Sequence, residues 1–163
     1  MPALARLDAT LSSVFDAERF PASHAIDGIH DTLCASQWQR NAWLSVRVPS
    51  GAPIGRVAVY NRDDETEYAE WLSPYEVWVG AAAGDADNSS AHRCSAQPIL
   101  VPPTSGPFVT DCNGATSHGN ATYVTLRQVR VYCNHAHTRA RTTGRLCMLM
   151  CVCVCMCNTH AHI

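Results

Sequence analysis

Residues Val57 to Gly80 read VAVYNRDDETEYAEWLSPYEVWVG. Val57 and Val59, then Val77 and Val79, alternate with other residues, the pattern of strands with one buried face. Between the two apolar stretches the alternation stops. Asn61, Arg62, Asp63, Asp64, Glu65, Glu67 and Glu70 crowd into the gap, with Tyr60, Tyr68 and Trp71 beside them. A charged loop with aromatics, carried between two strands of a rigid sheet, reads as a displayed recognition site.

Working outward, the flanks read the same way. Ala42 to Val48 is a strand with Leu44, Val46 and Val48 on one face and Trp43, Ser45 and Arg47 on the other. Pro49-Ser50-Gly51-Ala52-Pro53 closes it as a turn. Short strands are expected at residues 9–15, 54–60, 74–80, 107–112 and 121–126, with any strand at the proline-rich 98–103 short or at an edge. Turn residues recur throughout, and no helical periodicity or internal repeat is visible up to residue 128. These features predict an all-β antiparallel sandwich or jelly roll.

The chain of 163 residues suits one domain with a real core. Its net charge of −2 hides an asymmetry. Residues 1–128 hold 8 Arg and all 14 acids, whereas 129–163 hold 4 Arg and no acid. An acidic main body argues against nucleic acid as a partner. No apolar run reaches the roughly 18 residues of a membrane-spanning helix. Nor does the N-terminus carry a basic start followed by an apolar stretch, so no signal peptide is visible. The domain pattern begins almost at Met1, as in a piece of a longer chain.

The ordered blocks SSVF, ASHAIDG, VAVYNRDD, LSPYEVWVG, PFVTDC and YVTL resemble the discoidin-like, coagulation-factor 5/8 type C domains, and among them the fucolectin (F-type lectin) branch. The resemblance covers about residues 9–128. It implies a galactose-binding-like jelly-roll β-sandwich and a non-catalytic carbohydrate-binding module, with fucose or galactose as candidate sugars. Such modules are normally extracellular or on the cell surface, as part of a secreted or membrane-anchored protein. The family also includes adhesion modules that contact protein or lipid headgroups, and that role is the alternative.

Fucolectins hold fucose with one His and two Arg, the first in an Asn-Arg-Gly-Asp-Cys-Cys block. Asn61-Arg62-Asp63-Asp64 matches the start of that block, so the resemblance carries Arg62 over. Glu65 and Thr66 stand where the paired cysteines would be. The second Arg falls near Ala69 and Glu70, and the His near Gln37. The expected ligand site is therefore Arg62, Asp63, Asp64 and Glu65, with Trp71 and Trp38 for stacking. Guanidinium and carboxylate groups suit sugar hydroxyls, which both accept and donate hydrogen bonds. The resemblance also implies a Cys94–Cys112 disulfide, and calcium at the Asp27-Gly28 turn. Trp43 and Trp78 are expected to pack, and His24 to be a loop histidine without a partner. No Ser–His–Asp spacing or carboxylate pair points to an enzyme.

Residues 129–163 change character. They hold six of the nine Cys and four of the eight His, with Cys151, Cys153, Cys155 and Cys157 alternating with Val, Val and Met. Closely spaced thiols and imidazoles suit Zn or Cu(I). The same text also reads as translated TG and CA dinucleotide repeats. On that reading the sandwich has its final strand missing or replaced, and the tail past about His135 is poorly ordered. Val129 to Cys133 would then be the segment that patches the sheet edge.

Overall fold

In the computed structural model the described residues are 3–62, 64, 66–116, 122–129, 150–151 and 153–158. Among them are ten strands: β1 (Asp8–Leu11), β2 (Cys34–Ala35), β3 (Trp43–Val48), β4 (Ile54–Tyr60), β5 (Tyr75–Gly80), β6 (His92–Arg93), β7 (Phe108–Ala115), β8 (Thr122–Gln128), β9 (Met150–Cys151) and β10 (Cys153–Asn158). A five-stranded sheet runs β1-β3-β8-β5-β6, a three-stranded sheet runs β10-β4-β7, and β2 pairs with β9. All the pairings between strands are antiparallel.

The inward residues are those the alternation picked out. Leu44, Val46, Val57, Val59, Val77, Val79, Val124 and Leu126 are all within 1% of full burial. Each such side chain contributes roughly 1.5–3 kcal/mol by leaving water. Cys94 and Cys112 form a disulfide. Cys94 follows β6, at one edge of the large sheet, and Cys112 lies in β7, at one edge of the small one, so the bond ties the two sheets. Closing a loop of 18 residues this way contributes about 3 kcal/mol on the chain-entropy account.

β5 is buried on both faces, which alternation alone does not explain. The chain from Ala81 to Ala91 folds back over the outer face of the large sheet. Gly84 donates its N–H to Ser45 Oγ at 2.8 Å, and Ser45 Oγ lies 2.7 Å from Thr125 Oγ1. At φ +79° Gly84 lies so near the Trp43 ring that a Cβ would meet it at 2.8 Å, so only glycine fits. Trp43 and Trp78 pack as expected, but beneath this loop rather than between the sheets.

A segment of the tail completes the small sheet. β10 pairs with β4 from Cys153 opposite Tyr60 to Asn158 opposite Ile54. Met156, opposite Val57, is fully buried in the core. Leu4 donates its N–H to the Met156 carbonyl at 2.8 Å. Residues 153–158 thus run along the edge of β4, and the expectation of poor order past about His135 otherwise lies outside the described residues. The idea that Val129 to Cys133 patches the edge falls mostly outside the described residues, as do 130–149. Val129 donates its N–H to the Pro74 carbonyl.

Candidate functional site

The loop joining β4 to β5 lies at one end of the sandwich. Alternation stops at Asn61 because that side chain turns inward and locks the loop. Asn61 is 3% exposed. Its Nδ2 donates to the Ala69 carbonyl at 2.7 Å, its Oδ1 accepts from the Arg62 N–H at 3.0 Å, and its N–H donates to the Ser105 carbonyl. A short helix, Thr66–Ala69, and a 3₁₀ turn, Glu70–Leu72, follow where sequence alone shows only loop. Leu72 anchors the turn in the core. Gln128, at the end of β8, donates Nε2 to the Trp71 carbonyl at 2.6 Å.

This scaffold sets out a continuous run of side chains. The Arg62 guanidinium lies over the Tyr68 ring, 4.6 Å from its centroid. Tyr68 meets Trp71 edge to face at 4.8 Å, and Trp71 meets Trp38 the same way at 4.8 Å. Arg62 donates Nε to Asp64 Oδ1 at 2.6 Å, and its Nη2 pairs with Asp64 Oδ2. That fork-shaped pairing fixes the plane of the guanidinium. Trp71 packs against Ala35. Trp38 is 43% exposed, so the run ends on an aromatic open to solvent.

Trp38 sits on a braced segment. Gln37 donates its N–H to Ser13 Oγ at 3.0 Å, Ser13 Oγ donates to Gln39 Oε1 at 2.6 Å, and Gln39 Nε2 donates to Ser12 Oγ. The Ser12-Ser13 pair, read only as part of a strand, holds both neighbours of Trp38. β1 stops at Leu11 because these serines turn to that task.

Of the expected site residues, Arg62, Asp64, Trp71 and Trp38 come together; Asp63 and Glu65 lie outside the described residues. Gln37, near which the resemblance puts the family's histidine, is held by its N–H on Ser13 Oγ. Tyr68 is a member that sequence reasoning named only in passing; its three-residue spacing from Trp71 across a helical turn was the available signal. Also unforeseen is His30, whose ring meets Tyr60 edge-on at 4.4 Å at the end of β4. His24 is not without a partner: its Nδ1 lies 3.1 Å from the Leu33 carbonyl.

Asp27 is occupied in its own turn. Its Oδ1 accepts from the Ile29 N–H at 2.8 Å and its Oδ2 from the Thr32 hydroxyl at 2.7 Å. Calcium takes six or more oxygens. Among the described residues no group of three His, Cys, Asp or Glu side chains converges on a metal ion. Both carboxylate oxygens of Asp27 thus brace its own turn.

A second charged cluster lies on the outer face of the large sheet. Glu76, 5% exposed, receives Arg127 Nη2 on Oε2 at 2.6 Å and faces Arg93 Nη2 from Oε1 at 2.7 Å. Trp78 Nε1 donates to Glu76 Oε2 at 2.9 Å. Both guanidiniums lie near the Trp78 ring. Arg127 also forks onto Asp87 in the overlying loop. Its hydrogen bonds hold the Asp87 carboxyl below, and the Arg127 guanidinium above, their ordinary values.

This jelly roll is shared with solved lectins and binding modules. The lectin domain of lectinolysin, solved with Lewis b antigen, superposes with TM-score 0.68 at 18% identity, covering 93% of this chain and 92% of that one. A fucolectin from striped bass (Morone saxatilis) serum gives TM-score 0.66 at 22% identity, over 91% of this chain and 44% of that one. A Streptococcus pneumoniae fucose-binding module gives 0.62 at 17% identity, over 94% of each. No family model and no curated protein matches the sequence. The chain therefore has the β-sandwich fold seen in these lectins and carbohydrate-binding modules.

Proposed function

We propose that this chain is a non-catalytic carbohydrate-binding module, with its site at the run Arg62–Tyr68–Trp71–Trp38. The observation that carries this reading is the braced, partly open aromatic run ending on a guanidinium. An indole face takes the C–H face of a pyranose, and Arg62 with Asp64 supplies a donor and an acceptor for its hydroxyls. Similarity to a fucose-binding module and to a lectin domain solved with Lewis b antigen supports neutral fucosylated or galactosylated glycans as ligands.

The disulfide suits an oxidising, extracellular setting. Among the described residues no helix is long and apolar enough to cross a membrane. Since Asp27 is engaged by its own turn, we read binding as independent of calcium. A glycan array with the oxidised chain, in calcium and in chelator, beside Arg62→Ala, tests the proposal. Signal on neutral glycans that Arg62→Ala removes and chelator spares is the expected result. No glycan signal from chain shown to be folded would overturn it and favour the protein- or lipid-contact role.

A further inference from the structure

The loop over the outer face of the large sheet carries a motif that the recognition end does not use, Asn88-Ser89-Ser90. An Asn-x-Ser triplet whose middle residue is not proline is an acceptor for N-linked sugar, and it serves where it stands on a surface loop. Asp87, Asn88, Ser89 and Ser90 are exposed in succession. The turn they make is nevertheless fixed. Asn88 Oδ1 accepts from the Ser90 N–H at 2.9 Å, the Ser90 hydroxyl at 2.7 Å and the Ala91 N–H at 2.8 Å. Asn88 Nδ2 donates to Asp85 Oδ1. Asp85 Oδ2 accepts from the Ala81 and Ala82 N–H groups at 2.9 and 3.2 Å. Just before the triplet, Asp87 is held by Arg127 on the sheet beneath; just after it, β6 begins at His92. The second triplet of this kind, Asn120-Ala121-Thr122, differs. Thr122 is fully buried in β8, and its Oγ1 accepts from the Gly51 N–H at 3.1 Å; Asn120 and Ala121 lie outside the described residues.

We propose that Asn88 is a glycosylation site, accepting an oligosaccharide from a donor in which the sugar is linked to a lipid diphosphate. In the transfer a bond forms between Nδ2 and C1 of the first sugar, and the bond from C1 to the diphosphate oxygen breaks. The diphosphate leaves with the bonding electron pair, and one Nδ2 proton passes to a base on the transferase. What the fold must supply is room for the product, and the exposed turn at 87–90 supplies it. The hydrogen count also allows it. An Asn amide nitrogen carries two hydrogens; one is used on Asp85, and attachment of sugar replaces only one. Every hydrogen bond of the turn can therefore survive modification. The proposal rests on the oxidising, extracellular setting that the Cys94–Cys112 disulfide suits. It is independent of the sugar-binding reading, because here the sugar is a covalent product and not a ligand.

The test is expression of the full chain behind a cleavable secretion signal in insect cells. Oxidation of Cys94 and Cys112, read by alkylation, marks chain that has passed through the oxidising compartment. That chain is treated with an amidase that releases N-linked sugar in heavy-oxygen water, which turns an occupied asparagine into a labelled aspartate. The expected result is a drop in mass on release and a label at position 88. Because the label is read on the unsubstituted chain, no folding defect can imitate it. Asn88→Gln and Ser90→Ala should each abolish the modification at 88. Ser90→Ala keeps the asparagine, so its effect belongs to the acceptor motif. Asn120→Gln should leave the label at 88 unchanged. Oxidised chain with no label at 88 would overturn the proposal, and so would a label at 88 that persists undiminished in Ser90→Ala.

Discussion

Two clusters in this molecule are built from the same parts and differ in how far they are buried. At the end of the sandwich, Arg62 meets Asp64, Tyr68, Trp71 and Trp38; on the outer face of the large sheet, Arg127 and Arg93 meet Glu76, Asp87 and Trp78. In the second, Glu76 and Trp78 are only 5% and 8% exposed, and the polar groups answer one another across adjacent strands. Such a cluster has little left to offer a ligand. It clamps the 81–91 loop onto the sheet. In the first, Asp64 has a side chain 56% exposed and Trp38 is 43% exposed. Composition does not separate a clamp from a recognition site. Burial, and the rigidity of what carries the residues, does.

The sharpest way to break the comparison is Glu76→Ala. It removes the carboxylate shared by two guanidiniums and the acceptor of Trp78 Nε1. Loss of one partner from a buried pair costs about 3 kcal/mol, read as a lowered urea midpoint at unchanged slope. Glycan binding by the folded fraction should not change. A fall in stability well under 1 kcal/mol would show that the cluster is not a clamp.

Arg62→Ala is the mirror experiment. Its effect belongs in binding, where loss of charged hydrogen bonds costs about 2 kcal/mol, or about 30-fold in Kd. Its effect on the urea midpoint should be much smaller than that of Glu76→Ala, and the reverse ranking would invert the assignment. Trp38→Ala sharpens the picture further. Loss of an exposed stacking face is expected to weaken a neutral glycan by about 1 kcal/mol, measured by calorimetry, with stability nearly constant because the serine brace uses the flanking glutamines.

The smallest effect concerns acid. Asp87 titrates below its ordinary range because it accepts hydrogen bonds from Arg127. A carboxylate depressed in the folded state stabilises above its unfolded pKa, and that contribution fades as pH falls through the folded value. Asp87 is exposed, so no more than about 0.5 kcal/mol is at stake. Melting temperatures of the unsubstituted chain and Asp87→Asn should differ slightly at pH 6 and converge near pH 2. Equal values at both pH values would remove Asp87 from the clamp.

The sequence by itself determined the strands that alternate and the point at which they stop. Val57 and Val59, Val77 and Val79, and Leu44 through Val48 could be placed because a period of two is a local property of the chain. Arg62 and Trp71 were legible for the same reason, since the interruption between two strands sits in one continuous stretch. Tertiary structure alone decided what faces what. Glu76, Asp87, Arg93 and Arg127 come from separate segments, and no local pattern announces that they meet. Trp38 joins Trp71 because the segment around it is braced on Ser12 and Ser13. The tail makes the point most clearly. Residues 129–133 and 153–157 both alternate, so pattern could not rank them as partners for β4. That β10 pairs with β4, with Met156 buried opposite Val57, is a non-local packing outcome.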